Sequence, residues 1–421
     1  MLVLIAILAS AAFLSIIFLG ILLRLPLARH FADLPDHRKV HQSVIPRLGG
    51  MGIVFAFLFL LGIAEIFELW NPSSKFLYSI AFVSFFLLIA GTLDDILSLG
   101  YKVKFLMQFL LAGVVVCVFR LNFEQASILG HSVALGGFGM VLSIFWIVAL
   151  MNAVNIIDGI DGLAASVALA GFAGVGALAY ADGAVNPLGV CLALSGATMG
   201  FLYYNLQRRR KVFLGDTGSQ FLGAMLGVLT LRIHELPSVG HSMLIPLLLV
   251  GYPVLDTSVA MARRFFKVRK RALGYRVSRM FMADNDHLHH RLVYAGLSHL
   301  QSTFLLMILA SGFAATAVIL PRVSWKGEAF FVGYLALAVA FILNRLGFLQ
   351  WGLIRRVMQT WIFGGVNPQM GATAQRHARY YEIFTLSESQ PTRAVNFEEE
   401  WSRTARQLVH KESSGILAKD F

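Results

Sequence analysis

The chain has 421 residues, 57% of them hydrophobic and only 14% charged, a balance that excludes an ordinary water-soluble domain and points to a membrane protein. Its formal net charge of +12 comes from 35 Lys and Arg against 23 Asp and Glu. The cations gather in loops between apolar runs, so they report topology and carry no argument for nucleic-acid binding.

In chain order, apolar runs long enough to cross a bilayer fall at about 2–23, 49–69, 76–93, 104–121, 133–151, 163–181, 187–206, 219–233, 241–262, 301–320 and 328–344. The expected fold is therefore an all-α polytopic membrane protein of about 11 transmembrane helices. The first run has no charged segment before it and is too long for the core of a signal peptide, so it reads as a retained span. The run at 219–233 is short enough to be tilted or partly broken. Cys117 and Cys191 both lie inside apolar runs, so no disulfide framework is expected.

More than half of the Lys and Arg fall in four loops: 24–48, the loop holding Lys102 and Lys104, the loop at Arg208–Lys211, and the loop from Arg263 to Arg291. The positive-inside rule places these loops in the cytoplasm and the N-terminus outside.

Five polar clusters share that side. The first is Asp33-Leu-Pro-Asp36-His37-Arg38-Lys39-Val-His41 followed by Pro46-Arg47-Leu-Gly49-Gly50. It combines cations suited to phosphate with a glycine pair that lets backbone come close to a ligand or another helix. The second is Asp94-Asp95 at the end of the third run, where one acid can bind metal while its neighbour handles a proton or supports the site. Lys102 and Lys104 follow, placed either to meet an anionic head group or to anchor the helix at the interface.

The third cluster is Asn152-Ala-Val-Asn155-Ile-Ile-Asp158-Gly-Ile-Asp161-Gly. Ionisable groups at a membrane edge are costly and are usually functional. On a helical turn Asp158 and Asp161 would share one face and repel each other, a conflict that a divalent cation or a donor-rich substrate would relieve. The fourth is Phe213-Leu-Gly215-Asp216-Thr217-Gly218-Ser219, whose glycines around an acid suit a metal-phosphate site or a helix N-cap. The fifth is His287-Leu-His289-His290-Arg291, preceded by Asp284 and Asp286. Without cysteine, and beside oxygen-rich clusters, it fits phosphate and nucleotide contacts better than a zinc cage.

Taken in order, these clusters resemble the polyprenyl-phosphate N-acetylhexosamine-1-phosphate transferases, a glycosyltransferase family 4 type of integral membrane enzyme. The resemblance runs from about residue 24 to residue 345. The His-Leu-His-His-Arg-Leu form is closest to the branch that uses undecaprenyl phosphate and GlcNAc-1-phosphate. Where relatives often carry a third acid in a D-D-x-x-D pattern, this chain has Ser98.

The resemblance implies transfer of a sugar-1-phosphate from UDP-N-acetylhexosamine to undecaprenyl phosphate, with release of UMP. It also implies Mg²⁺ (with Mn²⁺ as a substitute), membrane lipid as surroundings and a place in the bacterial cytoplasmic membrane. A homodimer is left open. Asp216 is then the main metal ligand, with Asp94 or Asp95 beside it. Asp94, Asp95, Asp158 and Asp161 are the candidate catalytic acids. Asn152, Asn155, Asp158, Asp161, His287, His289, His290 and Arg291 are candidates for the nucleotide sugar, and Lys39, Lys102 and Lys104 for the lipid phosphate.

Two alternatives stay open: the same reaction with another UDP-sugar, a 6-deoxy-N-acetylhexosamine or muramoyl-pentapeptide, and a membrane transporter. Edge-placed acids and the lack of an internal repeat count against the transporter. The expected domains are 1–345 for the transferase and 346–421 for a cytoplasmic tail. Within the tail, Gly347–Phe363 suits an interfacial helix, and Phe397, Trp401, Ala405 and Leu408 form an apolar stripe.

Overall fold

The computed structural model describes residues 2–33, 45–67, 75–128, 131–207, 210–267, 272–280 and 287–323, with scattered positions from 327 to 340. Lys39, Asp36, Asp284, Asp286 and the tail helices lie outside the described residues. So does most of the run at 328–344. The chain divides into two compact units, and the larger, Met1–Val293 with Leu297–Trp351, carries the polar clusters.

The helices are α1 (Leu2–Leu22), α2 (Gly49–Ile66), α3 (Lys75–Leu97), α4 (Tyr101–Cys117), α5 (Gly136–Ile157), α6 (Leu163–Ala181), α7 (Val185–Asn205), α8 (Gly215–Ile233), α9 (Leu244–Leu249), α10 (Gly251–Lys267), α11 (Leu273–Met280), α12 (Leu288–Tyr294) and α13 (His299–Ile319). Two short antiparallel pairs are the only sheet among the described residues: β1 (Ala32–Asp33) with β2 (Ile45–Pro46), and β3 (Gln125–Ile128) with β4 (His131–Ala134). Helix is the natural state for these apolar runs, because it satisfies every backbone group inside hydrocarbon.

Seven of the described helices are long and apolar enough to cross a membrane: α1, α2, α3, α5, α6, α7 and the one built on α13. The chain is thus a helical multi-pass membrane protein. Two of the expected runs take a different form. The one at 241–262 breaks at Val250 into α9 and α10, and α10 runs on to Lys267 as an amphipathic rod. The run at 219–233 instead starts earlier, at Gly215, because the polar Gly-Asp-Thr-Gly segment forms the first turn of α8.

Helix α8 lies at the centre, with nearly every residue from Thr217 to Ile233 buried. It can do so because its small residues admit neighbouring backbone, the usual device for packing helices in lipid. Gly223 lies against Leu150 and Met151 of α5, Gly227 lies against Ile147, and Gly218 meets Gly50 of α2. The backbone bonds Gly49 N–H to Phe213 O (2.9 Å) and Gly50 N–H to Leu214 O (2.8 Å) tie the start of α2 to the start of α8.

A Cβ on Gly50 would collide with the backbone of Thr217 and Gly218, whereas one on Gly113 of α4 meets nothing within 4 Å. Gly50→Ala is therefore expected to lower the thermal unfolding midpoint of the detergent-solubilised protein by the equivalent of about 1–3 kcal/mol, with Gly113→Ala nearly silent. Equal midpoints for the two variants would rule out this contact as a packing constraint.

Candidate active site

One end of the bundle collects the C-terminal ends of α3 and α5 and the N-terminal ends of α2, α4 and α8. Asp94 and Asp95 close α3, and both are buried. Asp95 accepts hydrogen bonds from the backbone N–H of Asp216 (2.8 Å), the backbone N–H of Thr217 (3.0 Å) and the Thr217 hydroxyl (2.6 Å). It thus caps α8 from another helix, satisfying donors that no local side chain reaches. Its negative charge also faces the positive end of the α8 dipole. Asp95 is committed to holding α8 in place.

Asp94 is oriented differently, as adjacent positions on a helix require. Its Oδ1 accepts from Leu99 N–H (3.0 Å), and its Oδ2 lies 2.7 Å from Lys104 Nζ. Lys104 also reaches Asp216 Oδ2 at 2.8 Å, so one ammonium joins the two carboxylates. Lys104 therefore belongs to the acidic cluster, while Lys102, its partner in the lipid-phosphate expectation, is exposed. Ser98 takes a left-handed turn (φ 50°) just past α3 and is exposed.

A line of amides buttresses Asp94. Asn152 donates to Gln108 Oε1 (2.7 Å), Gln108 donates to Gln220 Oε1 (3.2 Å), and Gln220 donates to Asp94 Oδ2 (3.4 Å). Asn155 Oδ1 accepts from the Ser219 hydroxyl at 2.8 Å, a second link between α5 and α8. Both asparagines reach the acidic cluster through these contacts.

Helix α5 ends at Ile157, so Asp158 and Asp161 do not share a helical face as the spacing suggests; they lie in the turn before α6. Asp158 stays beside the cluster. Burial, followed by the nearby Asp216, Asp95 and Asp161, pushes its carboxyl well above the usual range, with Arg47 opposing. It makes no side-chain hydrogen bond or ion pair with the described residues. Asp161 points away to an ion pair with Lys211 (2.5 Å), and its carbonyl accepts from Thr303 of α13 (2.8 Å).

The His motif meets this turn from the other side. Asp256 of α10, buried, accepts from His287 Nδ1 (2.8 Å) and from Leu288 N–H (2.7 Å). Arg264 Nη2 lies 3.3 Å from His287 Nε2, so both nitrogens of that ring contact protein groups. His289 is fully buried, and neither ring nitrogen has a hydrogen-bond partner among the described residues. Its Nε2 sits 2.6 Å from where a Cβ on Gly159 would stand, so a side chain there would have to displace the ring. The His290 ring lies tilted against it with centroids 4.2 Å apart, and Arg291 follows, half-buried.

Sequence reasoning gave no site role to Gln108, Gln220, Asp256, Arg264 or Lys211. A signal did exist for three of them. Gln108, Gln220 and Asp256 are polar side chains inside apolar runs, where burial is expensive without a partner.

Among the described residues, no three Asp, Glu, His or Cys side chains close a metal site by themselves. The donor set nevertheless fits Mg²⁺. Asp94 and Asp216 already converge on one positive charge, with Asp158 beside them, and all are hard oxygen donors.

Residues 77–234, which carry this cluster, match the family model described as glycosyl transferase family 4. A protein of Bacillus subtilis (strain 168) named probable undecaprenyl-phosphate N-acetylglucosaminyl 1-phosphate transferase is 33% identical over 289 residues, covering 68% of this chain and 76% of that one. The chain belongs to glycosyl transferase family 4. Two further family 4 relatives are named undecaprenyl-phosphate alpha-N-acetylglucosaminyl 1-phosphate transferase. The one from Escherichia coli (strain K12) is 30% identical over 298 residues, covering 69% and 77% of the two chains. The one from Yersinia pestis is 28% identical over 326 residues, covering 75% and 83%.

Burial pushes the His289 ring down to about 3 from an ordinary 6.5, with the neighbouring His290 adding to it. Above pH 6.5 both folded and unfolded chains hold it neutral. Between 6.5 and about 3 only the unfolded chain takes up the proton, so this group costs roughly 1 kcal/mol of stability for each unit by which the pH is lowered. Asp158, raised by burial, contributes the opposite slope, so the test is the difference: thermal unfolding from pH 7 to pH 5 is expected to lose less, or gain more, stability in His289→Asn than in the wild type. The same pH dependence in wild type and variant would remove His289 as a contributor.

Proposed function

We propose that this chain transfers GlcNAc-1-phosphate from UDP-GlcNAc to undecaprenyl phosphate, releasing UMP and starting a lipid-linked cell-envelope glycan. The observation that carries this reading is the meeting of Asp94, Asp216 and Lys104 at one end of the bundle, with the His motif packed against the Asp158 turn. The names of the family 4 relatives support it.

Both substrates are polyanions, so the site must offset charge and align the reacting groups. A phosphate oxygen of the lipid attacks the β-phosphorus of the UDP-sugar, the bond to the bridging oxygen breaks, and UMP leaves with that oxygen. Asp216 and Asp94 are the residues that would hold Mg²⁺, with Asp158 next to them. Bound there, the ion would neutralise charge on the diphosphate. Lys104 supplies a second positive charge at the same place and suits the attacking phosphate. Asp95 touches neither substrate in this reading and keeps Asp216 in position. His290 and Arg291 face the nucleotide sugar, while Asn152 and Asn155 fix the wall of the site through Gln108 and Ser219.

In the same proposal, eleven spans place the N-terminus outside and the reaction on the cytoplasmic side of the bacterial inner membrane, where UDP-sugars are made. The cation loops at Lys102–Lys104 and Arg210–Lys211 support that orientation.

Membranes carrying the chain are expected to release UMP from UDP-GlcNAc only when undecaprenyl phosphate and a divalent cation are supplied. Asp216→Asn and Asp94→Asn are each expected to cut the rate by about 10²-fold or more, the scale of lost transition-state charge stabilisation. No UMP release from UDP-GlcNAc, with release from a 6-deoxy sugar nucleotide instead, would reassign the donor. Wild-type rates in Asp216→Asn would remove its metal role.

A further inference from the structure

Helix α12 carries His289, His290 and Arg291, yet it has only seven residues, too few to be stable by helix propensity alone. Its position is imposed from outside. The anchor is Asp256, a buried carboxylate on α10, whose two oxygens take two separate donors at the start of α12. Oδ2 accepts from His287 Nδ1 at 2.8 Å, and Oδ1 accepts from Leu288 N–H at 2.7 Å.

The chemistry of the partners sets the direction of the His287 contacts. A carboxylate only accepts and a guanidinium only donates. Nδ1 therefore donates to Asp256, and Arg264 Nη2 lies 3.3 Å from Nε2. Arg264 itself is steadied by donating to Met280 O at 3.0 Å, at the end of α11. His287 therefore uses both ring nitrogens within the protein and serves as a tie. The next imidazole, His289, packs on Gly159 of the Asp158–Asp161 turn, so any shift of α12 is felt there.

We propose that Asp256 is a positioning residue for donor binding, acting through His287 and the Leu288 N–H to preset α12 against the Asp158–Asp161 turn. The proposal rests on the reading of the site as a nucleotide-sugar site. It assigns His287 to the scaffold that presents the rest of the motif.

The test uses the full chain in lipid nanodiscs. Asp256→Ala and His287→Ala are each expected to raise KM for UDP-GlcNAc about tenfold or more, the scale of one buried charge-assisted hydrogen bond, with KM for undecaprenyl phosphate unchanged within about twofold. The double variant is expected to be no worse than the poorer single one, because the two residues act as one unit. His287→Asn puts an amide N–H where Nδ1 stood and is expected to recover most of the loss. Hydrogen exchange of the α12 amides is expected to quicken about tenfold or more in Asp256→Ala. Unchanged exchange in Asp256→Ala would overturn the assignment. So would a His287→Asn variant as poor as His287→Ala, since the ring would then contact substrate directly. If wild-type protein releases no UMP from UDP-GlcNAc, the functional reading fails, and the exchange measurement still decides the role of Asp256.

Discussion

The hydrogen bonds from the start of α8 to Asp95 are the contact on which the site depends. A helix that begins with Gly-Asp-Thr-Gly inside a membrane protein leaves several N–H groups without partners, and in hydrocarbon each would cost several kcal/mol. Asp95 satisfies two of them and the Thr217 hydroxyl as well. In return the α8 dipole and its N–H groups stabilise a buried negative charge. The same contact sets the height of α8 relative to α3, and with it the distance between Asp216 and Asp94. Adjacent acids on one helix thus divide the work: Asp95 holds the frame while Asp94 turns to the opposite side and meets Lys104.

Two kinds of force hold the surrounding helices. Gly50, Gly218, Gly223 and Gly227 let backbones approach closely, which is where packing energy is available between helices in lipid. The line from Asn152 through Gln108 and Gln220 to Asp94 adds directional bonds across α5, α4, α8 and α3. Packing alone would tolerate small rotations about a helix axis. The amide line does not, because a rotation would strand buried donors and acceptors. The positions of the acids are accordingly set by polar groups that are themselves remote from the substrates.

The second half of the site follows the same rule with different parts. Asp256 stands in α10, far in sequence from the acids of α3 and α8, and organises the His motif through one ring and one backbone N–H. Asp161, which looks equivalent to Asp158 in sequence, is taken out of the cluster by Lys211. What separates the two acids is the end of α5 at Ile157, which sends successive residues in different directions. Proximity in sequence therefore says little about which carboxylate remains available to a cation.

Residue pattern by itself determined that the chain is helical and crosses a membrane many times, since apolar runs of that length have few other stable forms. It also picked out the acids Asp94, Asp158 and Asp216, the asparagines and the His motif as costly polar groups in an apolar setting. The division of labour among them came only with the tertiary structure: Asp95 as a cap for a distant helix, Lys104 inside the acidic cluster, Asp161 paired with Lys211, and His287 tied to Asp256. The break at Val250 and the early start of α8 belong with these, because hydropathy averages over a segment and cannot register a cap supplied from elsewhere. Burial cost is a property of each residue and can be read along the chain. Whether a buried polar group is free to act depends on the partner that satisfies it, and here that partner is usually on another helix.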